Sequence, residues 1–233
     1  ARKALYYATN RWPQDFIRTF GIGYASNSWD SFSLWANGKG LDKDLMLELG
    51  LVKEKSTNDD VYDTFRGRIM IPIRDKQHRI IAFTARLLPD ILAHDPNAPK
   101  YINSSTSLIY DKGNSLFGID VAWNVASKAG VMNLVEGAPD VMRLQVIGAS
   151  NTVAPLGSSW TEAQLSMLKR ITDRLNIIPD SDIPKEGEHF GVGFTSAMRT
   201  GKLALSLGFI VTIQEIPIGD WKNDPDSYLV SKD

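Results

Sequence analysis

In this 233-residue chain, the residues whose types and spacing could do chemistry are acids lying just beyond short apolar runs. Val131–Val135 ends at Glu136, and Leu175–Ile178 leads into Asp180 and Asp182. Apolar runs this short suit parallel strands buried on both faces, and in parallel sheets ligands gather beyond the carboxyl ends of the strands. Asp140 follows Glu136 across a strand-to-helix turn, where Gly137 permits close backbone approach. Asp224 and Asp226 stand in NDPDSYL near the end of the chain. Taken singly, each has an ordinary structural role: Asp140 would stabilise a helix N-terminus, and Asp180 and Asp182 would solvate a loop. Several acids beyond the strands of one sheet repel one another unless a cation sits among them, and oxygen-only donors favour Mg²⁺ or Mn²⁺.

The elements that must position these acids follow from the pattern. From Gly118 onward the rhythm alternates, with strands expected at Val131–Val135, Asn151–Pro155, Leu175–Ile178 and Phe209–Ile216. Helices are expected at Gly118–Lys128, Pro139–Ile147, Thr161–Asp173 and Val192–Leu207. Such alternation predicts a mostly parallel sheet covered by helices. The first half reads differently, with short helices at Ala1–Tyr7, Pro13–Phe20, Asp30–Trp35 and Asp42–Leu49. Pro13 and Asp42 mark starts there, and Gly21 and Gly50 mark stops. Trp12, Phe16, Phe20, Trp29, Phe32 and Trp35 read as packing residues. Ser56–Asp63 and Pro89–Pro99 read as loops, and PKYINS and YDKGNSLFG as irregular segments. Thr64–Arg74 and Arg79–Leu88 form a hairpin about the Asp75–His78 turn. Period two puts Arg66 and Arg68 on one face of its first strand, opposite Phe65, Ile69, Ile71 and Ile73.

The net charge of −1 gives no whole-chain argument for a polyanion, but its distribution does. Arg66, Arg68, Arg74, Lys76, Arg79 and Arg86 face a single acid, Asp75, across residues 66–86, whereas acids outnumber bases after residue 121. Clustered bases neutralise phosphates without reading sequence. The chain has no cysteine, which excludes disulfides and thiolate zinc within it and fits a reducing interior. No apolar run reaches the length of a membrane span. A start at Ala1 without methionine and an abrupt end at Asp233 are what a core excised from something longer would show. GVGFTSAMRTGK (Gly191–Lys202) hints at a phosphate loop but lacks the Walker spacing and reads as a helix start. His78, His94 and His189 have no ligand spacing and read as surface residues.

FRGRIMIPIRD, IIAFTARLL, PKYINS, YDKGNSLFG, VEGAPDV, VAPLGSSWT, the Asp180-Ser181-Asp182 pair and DPDSYL, in that order, resemble the catalytic core of bacterial-type DnaG DNA primases. The resemblance spans nearly the whole chain. It implies an α/β fold, a Toprim domain (Rossmann-like, with a mostly parallel sheet) packed on a smaller mixed α/β N-terminal subdomain. The expected division is residues 1–117, basic and template-binding, and residues 118–233, the metal-binding catalytic domain. It implies a metal site of Glu136, Asp140, Asp180, Asp182, Asp224 and Asp226, with Glu136, Asp180 and Asp182 catalytic. It places Arg66, Arg68, Lys100, Tyr101, Asn103 and Lys112 against template or nucleotide, and the basic stretch adds Arg74 and Arg86. Single-stranded DNA, nucleoside triphosphates and Mg²⁺ or Mn²⁺ are the implied ligands. A zinc-binding domain and a replicative helicase are implied outside this chain, in the cytoplasm at the replication fork, with no membrane.

Two departures mark a divergent, mobile-element-like member. The family's EGYMD is Glu136-Gly137-Ala138-Pro139-Asp140 here, and its DGD followed closely by Ala-Gly is a DSD followed by an insertion, Ile183–Phe190. The activity implied is template-directed synthesis of short RNA primers by two-metal nucleotidyl transfer. Two alternatives stay open: a Toprim-type metal-dependent nuclease or strand-cleaving enzyme, and a non-catalytic single-strand-binding module.

Overall fold

The computed structural model describes residues 1–56, 60–217 and 223–230. The chain divides into two compact units, Ala1–Ile73 with Ile80–Asp111, and Arg74–Arg79 with Lys112–Asp233.

The first unit begins with helices α1 (Arg2–Thr9) and α2 (Gln14–Phe20), then strand β1 (Gly23–Ala25), helices α3 (Ser31–Gly38) and α4 (Lys43–Glu48), and strands β2 (Val52–Glu54) and β3 (Val61–Asp63). Strands β4 (Arg68–Arg74) and β5 (Ile80–Leu87), helix α5 (Pro89–His94) and strand β6 (Tyr101–Asn103) complete it. Local chemistry sets the ends as the sequence indicates. The Asp42 carboxylate accepts the Leu45 N–H at 3.1 Å to start α4, and Gly21 adopts left-handed φ of 68° to end α2. Helix α3 is capped from afar: the buried Asp63 carboxylate accepts the N–H groups of Phe32 at 2.7 Å and Ser33 at 2.9 Å. Strands β1-β4-β5-β6 form an antiparallel sheet in that order, and β2 pairs with β3.

Several sequence expectations need correction in this unit. The strand expected from Thr64 begins at Arg68, and its residues are buried on both faces rather than alternating. Burial along most of its length, with Arg68 itself covered, leaves no basic outer face on this strand, which pairs with β1 and β5 at its edges. The loop expected at Ser56–Asp63 contains β3, with residues 57–59 outside the described ones; Pro89–Pro99 contains α5, started by its proline; and PKYINS contains β6. Trp29 and Trp35 are more than half exposed, unlike Trp12, which is buried.

The second unit holds strand β7 (Leu116–Phe117), helix α6 (Ile119–Ala129), strand β8 (Met132–Leu134), helix α7 (Ala138–Val146) and strand β9 (Thr152–Pro155). Helix α8 (Glu162–Lys169), strand β10 (Arg174–Ile177), helix α9 (Val192–Ser206), strand β11 (Ile210–Ile213) and helix α10 (Pro225–Val230) follow. The sheet order is β11-β10-β8-β9-β7, parallel except for β7 against β9. Thr161 and Gln164 form a reciprocal capping box, each side chain accepting the other's backbone N–H at 3.1 Å. Leu116, Met132, Leu134, Val153, Leu165 and Leu175 are buried in one apolar core. Asn133 and Asn176 interrupt the apolar runs, and Asn176 Nδ2 donates to Asn133 Oδ1 at 3.2 Å across neighbouring strands, which satisfies those two groups. Central β8 and β10 therefore aim their carboxyl ends the same way, carrying Glu136 and Asp180 to one edge.

Candidate metal and nucleotide site

The acids come together because backbone amides hold them. The Glu136 carboxylate, beyond β8, accepts the Asp180 N–H at 3.2 Å and so ties the ends of β8 and β10. Asp140, in the first turn of α7, is buried; its oxygens accept the N–H groups of Gly137 at 3.2 Å and Asp226 at 3.1 Å. The Asp182 carboxylate accepts the Gly193 N–H at 2.8 Å, at the positive end of α9. Asp224 accepts the Ser227 N–H at 2.6 Å, and Asp226 receives Arg143 Nε at 3.1 Å. A short antiparallel bridge pins the two DxD-type segments together: Ser181 N–H donates to Asn223 O at 2.7 Å, and Asn223 N–H returns to Ser181 O at 3.0 Å.

Sequence reasoning passed over three residues that build this edge. An added Cβ at Gly193 would lie 2.3 Å from Asp180 O and 3.0 Å from Glu136 Oε1; at Gly191 it would lie 2.3 Å from Asp182 O. Only glycine lets the start of α9 come so near the acidic loop, and the G-x-G spacing set aside as a weak phosphate loop was its signal. The third is Arg143, whose guanidinium is buried against Asp226 and joins α7 to α10. A lone arginine within VMRLQV was the clue.

The electrostatics fit a hard divalent cation. Burial foremost, then the charges of Asp180, Asp224 and Asp226, push the Asp140 carboxyl well above its usual 3.8. The acids outnumber the one guanidinium among them, Arg143 on Asp226, and the side-chain donors they offer a cation are oxygens. Among the described residues no three acids or histidines already enclose an ion position.

The basic residues named from sequence divide between the units. In the first, Arg66 lies over Trp29 at 4.0 Å and Tyr62 at 5.3 Å, and its guanidinium donates to Asp63 O. Arg68, expected to face outward, is buried; it donates to Pro99 O at 2.9 Å, and more weakly to Lys100 O at 3.4 Å and Ala85 O at 3.5 Å. Burial, and then Arg66, lower its pKa. Its position suits holding the PKY segment rather than meeting a phosphate. Arg86 lies 5.3 Å from both the Tyr7 and Tyr101 rings and donates to Tyr101 Oη at 2.5 Å. Burial raises the Tyr101 phenol against the opposing pull of Arg86. Lys100 is exposed beside Tyr101, and Asn103 is half-buried in β6. In the second unit, Arg74 closes the hairpin turn through His78 O at 3.0 Å, and Lys112 is exposed.

A mostly parallel sheet, with acids past two central strands and a DPD segment bridged back to them, defines the Toprim class. Residues 133–229 match the Toprim-like family, and residues 1–123 match the N-terminal domain of the DNA primase catalytic core. The chain belongs to the family of DnaG-type DNA primase catalytic cores. It is 33% identical over 217 residues to a Clostridium acetobutylicum DNA primase, covering 93% of this chain and 33% of that one. The crystal structure of the Aquifex aeolicus primase zinc-binding and RNA polymerase domains is similar at 31% identity and TM-score 0.85, over 99% of this chain and 53% of that one. A structure of a DnaG primase catalytic domain bound to single-stranded DNA is similar at 29% identity and TM-score 0.81, over 99% and 69%. The chain spans about a third of the length of the curated relatives it matches.

Proposed function

We propose that this chain is the polymerising part of a DNA primase, making short RNA primers on single-stranded DNA by nucleotidyl transfer. The observation that carries the reading is the convergence of acids from separate segments on one sheet edge, held there by backbone amides and close enough for Asp180 and Asp224 to act on the buried Asp140 carboxyl. The proposed labour is divided between residues 1–117, which bind template, and residues 118–233, which hold metal and nucleotide.

Glu136, Asp140, Asp180, Asp182, Asp224 and Asp226 would hold Mg²⁺ or Mn²⁺. Bound there, the cations would supply Lewis-acid activation of the attacking 3′-hydroxyl and offset charge on the leaving pyrophosphate. Glu136, exposed at the strand end, would accept the hydroxyl proton. Arg66, Lys100 and Lys112 would bind phosphates, and Arg68 would position Lys100 and Tyr101 from beneath. Support for the strand-binding half comes from the relative bound to single-stranded DNA and from Trp29, more than half exposed under Arg66, because bases stack on such rings. A zinc-binding domain, as in the Aquifex aeolicus primase structure, and a helicase would act from outside this cysteine-free chain.

The test is the double substitution Asp180→Asn and Asp182→Asn, assayed with single-stranded DNA, labelled ribonucleotides and Mg²⁺ or Mn²⁺. An asparagine at 182 can still accept the Gly193 N–H, so folding is expected to survive while primer synthesis is lost. Primer extension by the double variant would refute the metal assignment.

A further inference from the structure

The insertion Ile183–Phe190 builds something of its own. It lines a cavity of about 220 Å³ in the second unit, together with the loop before it and the start of α9. Phe190, 57% exposed, stacks on Phe194 with ring centroids 4.8 Å apart and an interplanar angle of 29°. Phe190 precedes the N-cap Gly191, so the chain entering α9 folds its ring back over the first turn. Phe194 sits in the first turn, whose Gly193 N–H is bound by Asp182, so the lower ring is carried by a fixed element. Asp180, Asp182, Glu215 and His189 also line the cavity, and among the described residues no lysine or arginine does.

We propose that this cavity is a nucleobase subsite, in which the planar base of a nucleotide stacks on Phe190 while its phosphates reach the Asp180–Asp182 side. The inference rests on the metal-site reading above. Charge selects this occupant. A bare phosphate would be repelled by the lining carboxylates and enters only with a divalent cation. A neutral planar ring is attracted to an exposed aromatic face whatever its sequence identity. The volume falls below the roughly 300–1,000 Å³ of a drug-sized pocket, so it suits a ring system rather than a whole nucleotide. One face of the Phe190 ring is spent on Phe194, and at 57% exposure the rest of the ring stays open to a second stacking partner.

The experiment measures binding to the full 233-residue chain by calorimetry, with Mg²⁺ present throughout. Adenosine triphosphate and inorganic tripolyphosphate are compared for wild type, Phe190→Ala and Phe190→Trp. The alanine variant should bind the nucleotide roughly 5- to 150-fold more weakly, the span of one lost base–aromatic stack. Its affinity for tripolyphosphate should be unchanged, and the tryptophan variant should recover nucleotide affinity. Equal nucleotide affinity in the alanine variant and wild type overturns the subsite. An equal loss for both ligands overturns it too, because the loop then acts on the phosphate side alone. If the wild type makes primers while Phe190→Ala binds nucleotide normally, only the subsite fails. If the wild type binds neither ligand with metal, the metal-site reading fails with it. Melting curves of all three proteins control for folding; loss of the stack on Phe194 should lower the alanine variant's melting temperature only slightly, leaving it folded at the assay temperature.

Discussion

Helix α9 offers one substitution at two positions with opposite expected signs. At Gly201 an added methyl meets its nearest neighbour, Val211 Cγ1, at 3.6 Å, which is ordinary contact. Gly201→Ala therefore removes only the backbone-entropy cost of a mid-helix glycine and should stabilise the fold by about 1 kcal/mol. At about 2–4 °C per kcal/mol for a domain of this size, the melting temperature rises by that interval. At Gly193 the methyl would stand 2.3 Å from Asp180 O, about 1 Å inside normal contact, and 3.0 Å from Glu136 Oε1. The neighbour is backbone and cannot rotate away. Overpacking of this kind costs roughly 1–3 kcal/mol, and the helix gain offsets up to about 1, leaving Gly193→Ala between neutral and about 3 kcal/mol less stable.

The larger effect falls on chemistry. Relief of the overlap moves α9 or the Asp180 backbone by about 1 Å, which breaks the 3.2 Å link from Asp180 N–H to Glu136 and shifts both carboxylates. Misplacement on that scale costs on the order of 100-fold in rate. The assay is primer synthesis on single-stranded DNA beside thermal melts of both variants. If Gly193→Ala folds and keeps wild-type activity, the close approach of α9 does not set the acids, and the account of the site is wrong.

Other perturbations report on neighbouring features. Arg143→Met should remove the buried partner of Asp226, with side chains 8% and 3% exposed, and cost about 3–5 kcal/mol; restoration in a double variant with Asp226→Asn would measure the coupling, and no loss of stability would refute it. Tyr110 Oη is buried with no hydrogen-bond partner among the described residues and burial pushes its pKa up to about 12, so Tyr110→Phe should gain about 1 kcal/mol in chemical denaturation; a loss would mean that the hydroxyl is satisfied. Asp140 holds its proton more tightly folded than unfolded, so its contribution to stability is present below pH 3.8 and disappears as pH rises through the raised value. Urea melts without metal should show the wild-type-minus-Asp140→Asn difference moving against wild type over that window, and a flat difference would refute the shift.

What the sequence made legible was whatever local spacing encodes. Asp42, Gly21 and Thr161 act through neighbours a few residues away, so their caps were readable. The acids were readable because strand ends in a parallel sheet share a direction. Arg68 was not: its carbonyl partners lie beyond β5, at Pro99 and Lys100, and period two cannot foresee a guanidinium buried among them. Strands β1, β2, β3, β6 and β7 are two or three residues long, too short to carry a period, and exist through their pairing partners. Trp29 misled for another reason: aromatic content predicts burial on average, whereas this ring is partnered by Arg66 and Tyr62 at the surface.

The acid edge separates two kinds of information. Which side chains carry charge is written in short motifs, but what brings them together is written far apart in the chain. Asp226 reaches the edge through its N–H to Asp140, through Arg143, and through the Asn223–Ser181 bridge. Each of these links spans some 40 to 90 residues of sequence, so no window of spacing could contain it. The same separation explains the glycines. Gly191 and Gly193 matter because Asp180 and Asp182 carbonyls press on them, a contact that exists only once the insertion between them has folded back. The eight residues Ile183–Phe190 thus lie between Asp182 and α9 without parting them: the two glycines let the start of α9 return against the Asp180 and Asp182 carbonyls.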